Sequence, residues 1–203
     1  MTAARITLPP AQREGGMPLA TALARRRSAR AFAARALEPG ELGQLLWAAQ
    51  GEADARDGVR TTPSAGALYP LEVYAATAEG LFRYLVEEHA IERISSRDLR
   101  TELAAAAHGQ DEIAHAPCVL ALTAVVTRTT RRYGERGVRY VDMEAGHAAQ
   151  NVLLTATALG LAAYPVGAFE DARIAKVLRL CGGEAPLYLV PVGAPKYPVG
   201  DGR

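Results

Sequence analysis

The apolar run at residues 118–126, CVLALTAVV, constrains the fold of this chain more than any other stretch. Its length is typical of a strand and is short for a buried helix. Its β-branched residues and the lack of a polar face predict a strand that is buried on both sides. The run therefore predicts a sheet with this strand near its centre.

Further strands are predicted where polar and apolar residues alternate. Residues 71–77 alternate in this way, Glu79 and Gly80 form a turn, and residues 81–85 return, so the stretch predicts a hairpin. Residues 186–193 predict a last strand. Pro191 within that strand predicts an edge position or a bulge, because proline cannot donate to a neighbouring strand.

Apolar periodicity predicts five helices, at residues 17–26, 41–50, 96–108, 138–160 and 171–180. Ser96 is the predicted N-cap of the third helix and Gly160 the residue that ends the fourth. The fourth helix is dense in Ala and Gly, which fits either a tightly packed core helix or a dimer axis. The hairpin and the segregated helices favour the α+β class over a parallel βαβ series.

One domain is expected from the length and composition. The chain has 203 residues, about half of them hydrophobic, which is enough for a single core. Residues 1–16 are predicted to be an irregular N-terminal arm and residues 17–193 the domain. Residues 194–203 are predicted to be a Gly- and Pro-rich tail that can reach a partner subunit, and residues 53–62 a polar loop.

Charge and composition exclude several classes of protein. The formal net charge is +1, so neither nucleic acid nor an anionic membrane is expected as a partner. No segment approaches the ~20 apolar residues of a membrane span, and residues 1–16 lack the apolar core of a signal peptide. Cys118 and Cys181 are expected to be unpaired thiols of a cytoplasmic protein. The scattered histidines and cysteines predict no metal site.

Familiar catalytic motifs are also missing. There is no GxGxxG after a strand, no GxxxxGK[ST] and no GxSxG, which argues against a dinucleotide-binding Rossmann domain, a P-loop and a serine hydrolase. His147 lies within the longest predicted helix. It is interpreted as a core or interface histidine and not as a catalytic one.

A basic cluster remains as a candidate for chemistry. It offers three guanidiniums and one hydroxyl within five residues, from Arg26, Arg27, Ser28 and Arg30. Guanidinium groups match the oxygens of a phosphate bidentately. The alternative interpretation is a solvated basic helix end.

The second candidate is the loop Pro63-Ser64-Ala65-Gly66. Its small residues leave backbone amides uncovered, so a flat ring could lie against them. The alternative is an ordinary turn. Taken together with the basic cluster, the loop favours a phosphorylated cofactor with a flat ring.

These stretches are two of five ordered motifs that resemble the nitroreductase superfamily, and most closely its SagB-type branch. The motifs cover nearly the whole chain: RRSARAF at 26–32, PSAGALYPLE at 63–72, EAGHAAQN at 144–151, PVGAF at 165–169 and PLYLVPVG at 186–193. The resemblance implies an α+β, nitroreductase-like fold with a mixed central sheet flanked by helices. It also implies a homodimer with FMN at the subunit interface.

The resemblance further implies which residues bind FMN. Those residues are Arg26, Arg27, Ser28, Arg30, Pro63, Ser64, Ala65, Gly66, Asn151, Pro165, Val166, Gly167, Ala168 and Lys196. The first three would hold the phosphate, and Arg30 would lie near the pyrimidine end of the ring, where a cation stabilises developing negative charge. Residues 63–66 would come from the partner subunit, and the amides around Gly167 would face the flavin N5. Asn151 would bind the cofactor or only hold its helix against the loop, and Lys196 would be a second phosphate cation.

Two directions of electron flow are consistent with this resemblance. SagB-type enzymes oxidise azoline rings of modified peptides, whereas nitroreductases take hydride from NAD(P)H and pass it to a nitro compound or quinone. A Lys-Tyr pair accompanies azoline oxidation in some members, and the comparable place here is Arg139-Tyr140. Tyr140 is therefore the candidate acid or base, and packing at the start of its helix is the alternative. A non-catalytic flavin-binding scaffold and a plain dimeric interaction protein remain as further alternatives.

Overall fold

The structure is a computed structural model, and it describes residues 4–54 and 57–197. Its strands are β1 (Arg5–Thr7), β2 (Glu52–Asp54), β3 (Val59–Arg60), β4 (Leu71–Thr77), β5 (Gly80–Leu85), β6 (Ala90–Ser95), β7 (Cys118–Val125), β8 (Ala162–Ala163) and β9 (Glu184–Gly193). Its helices are α1 (Leu19–Arg25), α2 (Pro39–Gln50), α3 (Arg100–Ala106), α4 (Asp111–His115), α5 (Thr127–Tyr133), α6 (Arg136–Ala158) and α7 (Asp171–Leu178). A 3₁₀ turn at Ala65–Ala67 lies between β3 and β4.

Seven strands form one sheet in the order β1-β6-β5-β4-β7-β9-β8, and β2 pairs with β3 in a separate ribbon. Strand β7 lies in the interior of the sheet between β4 and β9, and its residues 118–124 are buried. This confirms the central strand predicted from the apolar run. The strand pairings of the sheet are antiparallel, and one parallel bridge, from Ser28 to Ala163, adds the mixed character at the β8 edge.

Each face of the sheet carries its own hydrophobic core, because alternate residues of each strand point to opposite sides. On one face, α2 and α6 pack against the sheet, with Leu45 and Val152 among the fully buried side chains. On the other face, α3, α4 and α7 contribute Leu103, Ile113 and Ile174. The predicted α+β class, with helices on both sides of a sheet, is therefore confirmed.

Several local predictions were wrong. Residues 5–7, predicted to be irregular, form β1 and pair with β6. Residues 53–62 include part of the β2–β3 ribbon instead of only a loop. The sequence analysis missed β6 and α5, because β6 alternates imperfectly and α5 is a Thr- and Arg-rich segment with little apolar periodicity.

Helix α3 begins at Arg100 and not near Ser96. The N-cap position is Leu99, and the residue before it, Asp98, accepts a hydrogen bond from the Arg100 N–H at 3.1 Å through Oδ1. Gly160 follows the last residues of α6 with a φ of 71°, as predicted for a residue after a helix end.

Pro191 is accommodated at the end of the short strand β8. Within β9, strand β8 pairs with Val192 and Gly193, so Pro191 lies just beyond the paired residues. No bulge lies at Pro191, which pairs in regular register with Val119; the register between β7 and β9 shifts instead between Tyr188 and Pro186. Both cysteines are free, as expected, with Cys118 buried and Cys181 exposed.

Candidate functional site

The basic segment 26–30 lies alongside strand β8. The Ala29 N–H donates to the Ala163 carbonyl oxygen at 3.2 Å, and the Arg30 guanidinium carbon lies 4.8 Å from the centroid of the Tyr164 ring. Two motifs that are about 130 residues apart in sequence are therefore neighbours. The structure brings together the predicted phosphate-binding residues and the predicted N5-facing segment 165–168.

The segment that follows β9 pairs with the residues just after the basic segment. The Lys196 N–H donates to the Ala31 carbonyl oxygen at 3.0 Å, and Ala33 N–H donates to the Ala194 carbonyl oxygen at 2.8 Å. The start of the predicted tail is thus paired with residues 31–33. Lys196 is exposed, and its backbone pairs with Ala31, the residue that follows the basic segment.

The charges of the basic segment suit an anion. No carboxylate of the described residues forms an ion pair with Arg26, Arg27 or Arg30. Arg27 Nη1 donates to the carbonyl oxygens of Ala24 and Arg26, both at 2.8 Å, so this side chain is turned back onto the end of α1. The Arg26 and Arg30 guanidiniums and the exposed Ser28 hydroxyl are left as donors for a ligand, a set that fits a phosphate.

The ring of Tyr164 lies beneath the Arg30 guanidinium. It stacks on Phe32 with ring centroids 6.4 Å apart, and its hydroxyl is buried without a hydrogen-bond partner in the described chain. Burial raises the pKa of the Tyr164 hydroxyl to about 12, Glu112 adds to this rise, and Arg30 offsets part of it. The ring is therefore a neutral wall of the site.

Residues 165–168 differ in whether their backbone N–H groups are free to donate to a ligand. Val166 is buried, and both its N–H and its carbonyl oxygen are paired with Leu189. Gly167 and Ala168 are exposed, and neither of their N–H groups donates to another part of the described chain. Among the four predicted residues of this segment, the free amides are thus those of Gly167 and Ala168.

The loop 63–66 belongs to a second group of candidate site residues; the first group consists of segment 26–30 and residues 164–168. Its conformation is set by the 3₁₀ turn, in which Gly66 has a φ of 64°, and by the Tyr69 N–H, which donates to Ser64 Oγ at 2.9 Å. Pro63 and Gly66 are exposed, and Ser64 and Ala65 are half-buried. Within the described ranges, no hydrogen bond, ion pair or ring contact joins this loop to segment 26–30.

Asn151 fixes the loop to helix α6. Its Nδ2 donates to Thr62 Oγ1 at 3.1 Å and to the Thr61 carbonyl oxygen at 3.3 Å, and the Thr62 hydroxyl donates to the Ala49 carbonyl oxygen at 2.7 Å. Asn151 therefore ties α6, the loop and α2 together. This contact matches the second of the two roles that the resemblance allows.

Tyr140 is linked to the loop through Tyr133. Its ring meets Tyr133 edge-on with centroids 5.2 Å apart. A Cβ atom built on Gly66 would lie 2.7 Å from the Tyr133 hydroxyl, so this tyrosine borders the loop directly. The candidate acid or base thus belongs to the second group and not to the basic segment.

Sequence reasoning missed the buried carboxyl of Glu144. It lies on α6 beside the loop with 3% of its surface exposed, and its Oε1 has no hydrogen-bond partner in the described chain. Burial raises its pKa to about 7, and Ser64, Arg60 and Gln50 each offset part of the rise. The signal was its position: Glu144 falls between Val141 and Ala148 on the buried stripe of α6.

Two kinds of feature are absent from the described residues, a metal-binding cluster and a membrane-spanning helix. No cluster of three or more His, Cys, Asp or Glu side chains is suited to a metal ion. None of the helices there is both long and apolar enough to cross a membrane.

Comparison with known proteins identifies relatives along most of the chain. A sequence profile of the Nitroreductase family matches residues 23–194. The chain is 49% identical over 177 residues to the Methanocaldococcus jannaschii protein named "Putative nitroreductase MJ1384", which covers 84% of this chain and 88% of that protein. It is 26% identical over 132 residues to the Escherichia coli "Microcin B17-processing protein McbC", covering 60% of this chain and 48% of that protein.

Solved structures share the fold. A crystal structure from Ralstonia eutropha, of a "putative nitroreductase", matches with a TM-score of 0.87 and 31% identity, over 97% of this chain and 94% of that chain. The NADPH:FMN oxidoreductase of Vibrio harveyi matches with a TM-score of 0.67 and 19% identity, over 89% of this chain and 70% of that chain. At this lower identity the likeness shows the fold alone.

Proposed function

Because this chain belongs to the nitroreductase family, we propose that it is an FMN-dependent, SagB-like oxidoreductase that works as a homodimer. FMN, when bound, would accept a hydride from one substrate and pass it to another in the same pocket. The observation that carries the proposal is the junction of segment 26–30 with segment 164–168, through Ala29, Ala163 and the Arg30–Tyr164 stack.

The donor groups at this junction fit the cofactor. Arg26 and Arg30 are free of carboxylate partners, and Ser28 is exposed, so they can hold a phosphate and a polar ring edge. The free amides of Gly167 and Ala168 supply donors to the flat ring. In this proposal Arg27 contributes charge near the phosphate while its Nη1 stays on α1 carbonyls.

The homodimer is supported by the resemblance, which assigns both segment 26–30 and loop 63–66 to one cofactor. Among the described residues, no hydrogen bond, ion pair or ring contact joins these two stretches within one chain. A loop supplied by the partner subunit would complete each site. Exposed apolar side chains on α1 and α6 offer a surface for the partner, with Leu19 66% and Met143 45% exposed.

For the SagB-like direction, the substrate would be an azoline ring or a similar group of a modified peptide, and the similarity to McbC supports this choice. Tyr140 would serve as the acid or base there. NAD(P)H-dependent reduction of a nitro compound or quinone is the second candidate. It is favoured by Arg139, which precedes Tyr140 where some azoline-oxidising members have Lys, because arginine stays protonated and cannot act as a base.

The visible spectrum of the purified protein, titrated anaerobically with NADPH and NADH, tests the proposal. A flavin spectrum that bleaches supports the reductase direction. A flavin spectrum that bleaches only with an azoline-containing peptide supports the SagB-like direction, and one that no donor bleaches supports a flavin-binding scaffold. A protein that stays colourless after addition of FMN would refute the proposed function.

A further inference from the structure

Helix α5 and the first turns of α6, residues 127–143, form a basic elbow, in which Val141 is the residue that joins the hydrophobic core. The elbow carries five arginines and two carboxylates. Only Thr129 of α5 is buried, so this helix adds little to the core. A segment with this much charge and so little burial is better explained by what it presents to its surroundings.

Two glycines give the elbow a fixed geometry. Helix α5 ends at Gly134, which has a φ of 57°. A Cβ atom on Gly137 would lie 2.9 Å from Thr130 Cα, so the backbones of the two helices touch at this glycine. The close contact holds the side chains of α5 and of the start of α6 in one arrangement.

On the surface of the elbow, arginines stack on tyrosine rings. The Arg132 guanidinium lies 5.4 Å from the Tyr133 ring centroid and Arg136 lies 5.6 Å from that of Tyr140, while the two rings meet edge-on. Planar rings and planar cations therefore alternate on one surface.

This surface borders the loop that the proposed function assigns to the flavin. A Cβ atom on Gly66 would lie 2.7 Å from the Tyr133 hydroxyl and 3.0 Å from Arg132 Nη1. Whatever ring lies against loop 63–66 is thus next to Tyr133 and Arg132. The loop and the elbow belong to the same chain, so this contact does not depend on which subunit supplies the cofactor.

The arginines of the elbow are available to a ligand. Arg128 pairs with Glu72 at 2.6 Å, but the other four are exposed and form no ion pair with a carboxylate of the described chain: Arg131, Arg132, Arg136 and Arg139. The two acids of the segment, Glu135 and Asp142, form none either. The positive charge beside the loop is left unneutralised.

We propose that the elbow selects substrates in which an anionic group is attached to a planar ring. The tyrosine rings would contact the planar part, and Arg132 and Arg136 would bind the carboxylate, sulfonate or phosphate group. The inference rests on the proposed function, since it takes loop 63–66 as part of the flavin site. Arg131 and Arg139 would add to the field that attracts the anion.

A binding experiment with a matched pair of ligands tests this. The FMN-loaded protein, without any electron donor, is dialysed to equilibrium against 4-nitrobenzoate or its neutral analogue 4-nitrobenzamide. We expect tighter binding of the anion, and this preference should fall as ionic strength rises. The double variant R132Q/R136Q should weaken 4-nitrobenzoate binding by roughly three- to tenfold and leave 4-nitrobenzamide within about twofold.

The control is Arg173→Gln, which removes one exposed positive charge from α7 and should leave both ligands unaffected. Equal binding of the two ligands to the unmodified protein, or equal losses in the double variant, would overturn the inference while the protein still carries flavin. Failure to retain FMN in the unmodified protein would instead refute the proposed function. A double variant that loses its flavin spectrum is replaced by R132K/R136K, which keeps the charge and should retain the preference for the anion.

Discussion

The Arg30 guanidinium lies over the face of the Tyr164 ring, 4.8 Å from its centroid. This contact is the most direct link between the basic segment and the stretch that follows β8. The guanidinium forms no ion pair with a carboxylate of the described residues. The stack therefore orients a cation without neutralising it, which is what an anion-binding site needs.

Replacing Arg30 by glutamine should weaken FMN binding. The change removes one charge-assisted hydrogen bond, which contributes about 1.5–3 kcal/mol, so the Kd for FMN should rise by roughly ten- to a hundredfold. Titration of the flavin-free protein with FMN, followed by flavin fluorescence, measures this. Arg25→Gln is the matched control: it removes the same charge at the exposed end of α1 and should change the Kd by less than about twofold. Equal effects of the two substitutions would assign the loss to net charge alone.

Glu144 should make stability depend on pH. Its pKa is raised from 4.5 to about 7 in the folded protein, so the folded state holds a proton that the unfolded state has released between these values. The stabilisation that this proton gives is fully present below about pH 4.5 and is lost as the pH rises through 7. Glu144→Gln cannot lose a proton there. The free energy of unfolding of the unmodified protein should therefore fall by about 2 kcal/mol relative to the variant between pH 5 and pH 8.

Urea unfolding at pH 5, 6, 7 and 8 measures both proteins. Glu102→Gln serves as a control, because this carboxylate is on the surface of α3 and pairs with Arg97. Parallel stability curves for the unmodified protein and Glu144→Gln would contradict the raised pKa.

The sequence was sufficient for elements whose pattern is local. Strand β7 could be predicted because nearly every residue in the run is apolar, and α6 because its buried stripe repeats at helical spacing. Helix α5 could not, because its threonines and arginines have no apolar face, and it is held by a contact between backbones at Gly137. The pairing of Ala29 with Ala163 could not be predicted either, because nothing in a local pattern specifies which distant segments meet.

The candidate site shows the same limit. The motifs located Arg26–Arg30 and Gly167–Ala168, but only the folded structure distinguishes Arg27, which donates to the Ala24 carbonyl oxygen, from Arg30, which lies over the Tyr164 ring. Glu144 is the first residue of the motif at 144–151, and the sequence did not show that its carboxyl is buried. Burial raises the pKa of this carboxyl, which no local pattern predicts.

Mixed dimers should reveal whether each site is shared between subunits. A subunit with Arg30→Gln and a subunit with Ala65→Glu are each expected to bind FMN poorly on their own. If the loop comes from the partner, a heterodimer of the two has one site in which both changes coincide and one site with neither. That dimer should bind close to one FMN tightly per two chains, measured by absorbance after purification with two different affinity tags.

Two outcomes would contradict the shared site. A heterodimer in which both sites bind weakly would mean that the loop and the basic segment act within one chain. A protein that stays monomeric in light scattering at micromolar concentration would refute the homodimer itself. The control is a heterodimer of an unmodified subunit and a subunit that carries both substitutions. If the site is shared, each of its two sites contains one change, so both sites should bind FMN poorly.

Tyr140→Phe separates the two roles open to this residue. The substitution keeps the ring and therefore the edge-on contact with Tyr133, but it removes the hydroxyl. If the hydroxyl transfers a proton, turnover with an azoline or nitro substrate should fall by about a hundredfold while the Kd for FMN is unchanged. Unchanged turnover would leave Tyr140 as a packing residue.

Gly193→Ala should destabilise the protein at the end of β9. A Cβ atom there would lie 2.4 Å from Cδ and 2.5 Å from Cγ of Pro117, and 3.3 Å from Phe32 Cδ1. The proline ring is rigid and cannot rotate away, so the backbone must shift, at a cost of about 1–3 kcal/mol. Because residues 194–196 pair with residues 31–33, the same shift should reach the basic segment and weaken FMN binding.

Thermal unfolding with and without FMN measures both effects, and we expect a Tm lower by several degrees together with a smaller rise on adding FMN. Gly40→Ala is the control, since a Cβ atom on this helical glycine meets no other atom within 4 Å and the Tm should stay level or rise. A Gly193→Ala protein with an unchanged Tm would show that β9 can move away from Pro117 freely. A lowered Tm with an unchanged response to FMN would show that the tail pairing does not support the basic segment.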